Sequence, residues 1–469
     1  MALRINLNTA ALNAHRQLNN TDKALEASIE RLSSGFRINR AADDPAGLAI
    51  SENLRAQVSG LGQAIANSSD AVNMIRTAEA SLSEVHTQLR TMRDLALHAS
   101  NTGANDSTAI DADQAQMTSS LAAIDRIAEN TQFGNKKLLN GEVGVSGQTT
   151  HGDVTFLGGT AATQAGTYAI TVTTAAAKAN VTSSVDFSAA TIQAGEEGSL
   201  SINGQVIAIE VGDNRSAIIS KINAESTKTG VQASASGDNI KLEQMSYGSS
   251  NTITVGGTAA TLTAIGLTAG TTSNGADVAG TLNDGTATYT LAGSGATLLG
   301  TANTPTEGLS LRITAGAGAA GDVVITNDSL EFQVGANVGQ LLKQSIGSVA
   351  SNSLGVTATG LTNSWTSIAD IDVTTSAGAQ DAIRLLDAAI SEVSTLRSEL
   401  GASQKDLEAN ISSLGVAKEN IAASESSIRD TDMAYEMVAF TRNQILLQAG
   451  TAMLTQANAA PQALLSLLR

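Results

Sequence analysis

Residues 386–435 read LDAAISEVSTLRSELGASQKDLEANISSLGVAKENIAASESSIRDTDMAY, with an apolar or aromatic side chain at every seventh position: Leu386, Val393, Leu400, Leu407, Leu414, Ile421, Ile428 and Tyr435. A seven-residue period keeps one stripe of an α-helix turned toward a partner, because it corresponds to 3.5 residues per turn and a supercoiled seam. The companion positions, Ile390, Arg397, Gln404, Ile411, Lys418, Glu425 and Asp432, turn charged after Leu414, which leaves one narrow stripe. At about 1.5 Å per residue the helix is on the order of 75 Å long, so it needs another long helix to cover it.

That mate is found near the other end of the chain. Leu54, Val58, Leu61, Ile65, Val72, Ile75, Leu82 and Leu89 follow four-three spacing, with Ser68, Glu79 and His86 as polar beats. Asp44 before Pro45 is the expected start of this helix, an N-cap followed by proline where a missing N–H costs nothing. Upstream, Leu7, Ala11, Ala14 and Leu18, then Leu25, Ile29, Leu32 and Phe36, predict a further helix, broken at Gly35. Asn101, Thr102 and Gly103 end the long one, and Met117, Leu121, Ile124 and Ala128 predict a shorter third. The fold class expected is a mainly α coiled-coil rod formed by both chain ends, with a β-rich (α+β) inserted outer region. The seam residues are Leu54, Leu61, Ile75, Leu82, Leu89, Leu400, Leu407, Leu414, Ile421 and Ile428.

The insertion has a different composition. Residues 251–300 are about two-thirds Gly, Ala, Ser and Thr with no Lys or Arg, and β-branched runs such as 168–172 recur between turn residues. The best-defined unit, 200–242, carries a strand at 200–202, an Asn203-Gly204 turn, a strand at 205–211 and a helix at 214–224. Strand character returns at 329–334, and helix resumes near Ser376.

Composition excludes several functions. The 469 residues include one Trp, four Tyr, six Phe and no Cys, so neither an aromatic-rich enzyme core nor thiol chemistry is expected. A net charge of −17 argues against nucleic acid and anionic membrane as partners. No 18-residue apolar run occurs, and residues 1–25 lack the apolar core of a signal peptide, so any export is expected to use another route. His15, His86, His98 and His151 show no metal-ligand spacing, and the Asp43-Asp44 pair is better explained by capping than by acid/base chemistry. No catalytic, cofactor-binding or metal-ligating residue is expected.

Residues 30–50, E-R-L-S-S-G-F-R-I-N-R-A-A-D-D-P-A-G-L-A-I, and 444–458, Q-I-L-L-Q-A-G-T-A-M-L-T-Q-A-N, together with the ending at 464–469, resemble bacterial flagellin. Residues 332–340, F-Q-V-G-A-N-V-G-Q, resemble that family's hairpin, and 200–242 is similar to a repeat of flagellin and hook-associated insertions. The resemblance covers roughly the first and last 140 residues. It implies a structural subunit of the flagellar filament, outside the cell: residues 1–42 and 428–469 in a helical inner tube, 43–144 and 326–427 in a helical rod domain with a β-hairpin, and 145–325 as the exposed outer region. The implied partners are further copies of the chain, a flagellar export chaperone with the type III export apparatus, and the cap and hook-junction proteins. The alternative is a hook–filament junction protein that shares the helical ends.

The resemblance also implies weak recognition by a Toll-like receptor. Strongly detected members carry L-Q-R-V-R-E-L where this chain has Leu89, Arg90, Thr91, Met92, Arg93, Asp94 and Leu95, so the first family arginine falls on Thr91. Arg93 and Leu95 remain, and an acidic family position falls on Gln116. Finally, the terminal stripes are narrow and alanine-rich, so residues 1–42 and 428–469 are expected to order fully only on assembly.

Overall fold

The computed structural model describes residues 8–101, 103, 105–187 and 190–467; the beat at Leu7, the stop residue Thr102 and the last two residues of the 464–469 ending lie outside them. Eight α-helices are present among the described residues: α1 (Thr9–Ser34), α2 (Pro45–Ser100), α3 (Ser107–Asn130), α4 (Arg215–Ala224), the single turn α5 (Ser226–Thr229), α6 (Ala259–Ile265), α7 (Ser376–Arg429) and α8 (Met433–Leu467). Long helices at both ends flank a strand-rich middle. The Asp44 carboxylate caps α2 by accepting the Gly47 N–H at 2.9 Å, and Asp43 accepts the N–H groups of Asn39 and Arg40 in the turn before it. Neighbouring carboxylates at 43 and 44 thus do separate backbone work.

The chain divides into two compact units, Met1–Ser69 with Gln333–Gln340 and Leu407–Arg469, and Asp70–Phe332 with Leu341–Asp406. In the first unit α2 and α7 run antiparallel: Arg429 meets Glu52 at 2.6 Å, and the Lys418 ammonium lies against Gly62. The hairpin tip sits on both helices. Asn67 of α2 donates to the Gln333 carbonyl and Asn410 of α7 to that of Val334, while Gly60 leaves room for Ala336, whose Cβ would stand 3.1 Å from any methyl placed there.

One expected continuity fails in this unit. The seven-residue beat runs to Tyr435, but the helix stops at Arg429 and restarts at Met433. Arg37 donates its N–H to the Arg429 carbonyl at 2.6 Å, Thr431 donates to Gly35 at 2.9 Å, and the Arg429 guanidinium stands 4.9 Å over the Phe36 ring. The break between α7 and α8 therefore pairs with the break between α1 and α2. Backbone groups freed from two helices satisfy one another, and Tyr435 is exposed.

In the second unit α2 packs on two helices. Arg93 and Glu79 pair with Asp387 and Arg397 of α7, again antiparallel, and His98 meets Asp113 of α3 at 2.6 Å. Two partners require a broader apolar face than a single seam. The companion row of α2 is accordingly Ala78, Val85, Met92 and Ala99, all fully buried, whereas the expected polar beats Glu79 and His86 are half-buried beside it. Met117, Ile124 and Ala128 of α3 and Leu386, Val393 and Leu400 of α7 complete this core.

The middle of the chain forms two nested cores in the second unit. An eight-stranded antiparallel sheet has the order Val145–Thr149, Gly318–Asn327, Gly166–Thr174, Ala279–Asn283, Thr288–Ser294, Thr297–Leu299, Ser310–Ile313, Val154–Gly158. Its outermost strands are consecutive in sequence and the Phe156 ring lies on Gly147, so the sheet curls around one core that includes Ile170, Leu282, Leu298, Leu311 and Val323. Between the strands Gly166–Thr174 and Ala279–Asn283 the chain inserts a second core, from Ala179 to Leu267, built of two smaller sheets with α4 and α6. Ala177 and Ala276 exchange two backbone hydrogen bonds at the neck of this insertion. The Asn203-Gly204 turn is present, both residues at positive φ, and Asn214 caps α4 through the Ala217 N–H. α6 forms within the stretch rich in Gly, Ala, Ser and Thr. It gains stability from burying Leu262 and Ile265.

Candidate assembly surface

α1 and α8 pack antiparallel: Arg31 lies 3.7 Å from Glu436, Leu18 rests on Gly450, and Asn8 donates its side-chain amide to the Ala457 carbonyl at 2.9 Å. The facing row of α8 is Glu436, Phe440, Asn443, Leu447, Gly450, Leu454 and Ala457, a strict four-three pattern in which every member is buried or half-buried. The facing row of α1 is Ala11, Ala14, Leu18, Thr21, Leu25, Ser28 and Leu32. Ser28 takes the place expected for Ile29, which is turned outward and exposed. Thr21 and Ser28 are the only buried side chains of α1, and both are polar, while Leu18, Leu25 and Leu32 of the same row stay half-buried.

A second apolar stripe is left bare. Met437, Val438, Ile445, Leu446 and Met453 of α8 lie off the facing row, each 49–70% exposed, and Leu12 and Ile29 of α1 are exposed likewise. Met437, Val438, Thr441, Arg442, Ile445 and Leu446 line a shallow recess. Full burial of such a side chain is worth about 1.5–3 kcal/mol. Covering several of them would therefore add several kcal/mol, on the order of a domain's margin.

The seam is buried to different depths. Leu61, Ile75, Leu82 and Leu89 of α2 are buried, and Leu54 is half-buried; on α7, Leu400 and Leu407 are buried and Leu414, Ile421 and Ile428 half-buried. Arg90 is exposed, and Thr91 is half-buried with its hydroxyl on the Thr87 carbonyl at 3.1 Å. Arg93 holds Asp387 at 2.5 Å, Leu95 is half-buried, and exposed Gln116 lies on α3 three residues from Asp113, as Leu95 lies three from His98. Among the described residues no three His, Asp or Glu side chains are placed to hold a metal ion, and no helix is long and apolar enough to cross a membrane.

The terminal regions match family profiles. Residues 5–143 match the bacterial flagellin N-terminal helical region, 383–468 its C-terminal helical region, and 199–245 the flagellin hook IN motif. Flagellin D of Vibrio anguillarum is 32% identical over 468 residues, with both chains covered in full. The chain belongs to the bacterial flagellin family. Polar flagellin B/D of Vibrio parahaemolyticus, 33% identical over 474 residues, and the B-type flagellin of Pseudomonas aeruginosa, 32% identical over 537, are also matched from end to end.

This flagellin is a structural subunit of the flagellar filament, and the junction-protein alternative gives way to relatives that match as flagellins over their whole length. The 444–458 motif contains most of the facing row of α8 and also the bare residues Ile445, Leu446 and Met453. The sequence reading missed the division into two stripes; the strict pattern from Glu436 to Ala457 was the signal that could have shown it.

Proposed function

We propose that filament growth proceeds by covering the bare stripes of α1 and α8 with the same helices of neighbouring copies. The observation that carries this reading is the apolar stripe of α8 that its intramolecular partner leaves open. A contact between different patches of identical subunits does not close on itself and so propagates into a helical polymer. In this reading residues 1–42 and 428–469 form the inner tube, 43–144 and 326–427 the surrounding helical layer, and 145–325 the outward region. The seam residues, from Leu54 to Leu89 and from Leu400 to Ile428, hold the helical layer together.

The family resemblance supports the remaining partners: an export chaperone that shields the apolar C-terminal helix, the type III export apparatus, the cap at the growing tip and the hook-junction proteins. It also supports an extracellular location and a purely structural, non-enzymatic role. Recognition by the Toll-like receptor is weak, because Thr91 replaces the family arginine.

Limited proteolysis of monomer and filament tests the reading. Protease should trim both termini of the monomer and spare them in the filament. Equal protection in the two states would refute it.

A further inference from the structure

The described methionines divide by position. Met74 and Met92 of α2 and Met117 of α3 are 9%, 0% and 0% exposed, while Met433, Met437 and Met453 of α8 are 48%, 50% and 64% exposed. Met245 is half-buried in the outer region. The thioethers most open to solvent thus lie on the helix whose bare stripe is proposed to be covered during assembly, and Met437 and Met453 are part of that stripe.

An exposed thioether reacts with peroxides. Its sulfur attacks one oxygen of hydrogen peroxide, the O–O bond breaks, a sulfur–oxygen bond forms and water leaves. The sulfur loses two electrons and the peroxide gains them. The product is a polar, chiral sulfoxide in place of a flexible apolar side chain. A sulfoxide brought into an apolar contact without a hydrogen-bond partner is penalised like any buried polar group.

We infer that α8 is an oxidation-sensitive segment: peroxides convert Met437 and Met453 of the free subunit to sulfoxides that prevent its entry into a filament, while subunits already assembled are protected. This rests on the assembly reading above, since it requires the bare stripe to be covered in the polymer and open before it. The chemistry is reversible by methionine sulfoxide reductases, so the block is not permanent.

The full-length monomer and preformed filament are treated with the same dose of hydrogen peroxide, and sulfoxides are mapped by peptide mass spectrometry. Expected are sulfoxides at Met433, Met437 and Met453 of the monomer before any at Met74, Met92 or Met117, little α8 oxidation in filament, and a rise of about tenfold or more in the monomer concentration needed for polymerisation. Reductase treatment should restore assembly. A Met433→Leu/Met437→Leu/Met453→Leu chain, close in volume and apolar, should polymerise equally well before and after peroxide. Normal polymerisation by sulfoxide-bearing monomer, equal oxidation of α8 in monomer and filament, or loss of assembly by the leucine variant after peroxide would each overturn the inference. Untreated Val438→Asp separates the two readings. If it polymerises normally the stripe is not the contact; if it fails while sulfoxide-bearing wild type assembles, only the oxidation step is wrong.

Discussion

Arg312 and Glu392 share one four-residue strap, residues 355–358, each holding alternate residues of it. Arg312, on a strand of the curled sheet, donates to the carbonyls of Val356 and Ala358, while Glu392 of α7 accepts the N–H groups of Gly355 and Thr357 at 2.7 and 3.1 Å and the Thr357 hydroxyl at 2.5 Å. Alternate backbone donors and acceptors are thus paired with charges of opposite sign, which are stronger partners than neutral groups. Burial pulls the Arg312 guanidinium below its ordinary value, and Glu392 opposes that shift.

Arg312→Met should therefore strand two carbonyls and destabilise the strap at 355–358 by about 1–3 kcal/mol. The checks are the urea midpoint and the rate of proteolytic cleavage near Val356. An unchanged midpoint and cleavage rate would show that the pairing contributes nothing.

Removal of 145–325 behind a short Gly-Ser linker should leave polymerisation intact. Val145 pairs with Asn327 in one ladder, so the cut ends lie side by side. The deletion removes Arg312 and should loosen the strap as above, but it leaves α1 and α8 untouched. Electron microscopy of the secreted variant decides the matter: a variant that is exported normally yet never forms filaments would contradict the expectation.

Charge placed in the seam should do graded harm. Leu407 is 1% exposed, so Leu407→Asp buries an unpaired carboxylate at a cost of several kcal/mol, comparable to the margin of a domain. Leu414 is half-buried, and its aspartate can reach water, so the loss should be smaller. Melting temperature and filament yield measure both. Equal, wild-type values for Leu407→Asp would show that the α2–α7 seam does not support the fold there.

Acidification should weaken the helical core through His86. Its buried Nδ1 has no hydrogen-bond partner among the described residues, and desolvation, followed by the guanidinium groups of Arg397 and Arg90, holds the ring below the ordinary histidine value. The unfolded chain takes up its proton near pH 6.5, the folded chain only at lower pH, so between those values the unfolded state binds more protons. Stability is full above about pH 6.5, falls as pH drops toward the lowered folded value, and levels off below it. His86→Gln should flatten that part of a urea-midpoint profile measured by circular dichroism. Parallel profiles for the two chains would exclude His86 as the cause.

Thr91→Arg should strengthen signalling through the Toll-like receptor. Arg90 is one position, about 100° of helix, away and cannot present its guanidinium in the same direction. Arg93 is already engaged by Asp387. Restoring one central interface arginine is expected to add about tens of fold in affinity. A reporter assay on purified monomers compares the two, and equal full-strength responses would remove Thr91 from the surface.

The sequence by itself determined the helical ends and one hairpin of the insertion, because a seven-residue beat, the Asp44 cap and the Asn203-Gly204 turn are each written in local spacing. It also determined the family, through long contiguous motifs. Which residues face which partner was decided by tertiary structure. Ser28 displaces Ile29 because α8 approaches α1 along one strict heptad row, and Ala78, Val85, Met92 and Ala99 are buried because α2 has two helices to meet, not one. The helix break at residues 430–432 depends on Phe36 and Arg37, almost four hundred residues away. The curled sheet likewise joins Val145 to Asn327, and the strap joins Arg312 to Val356. Such pairings rest on long-range contacts that no local propensity encodes.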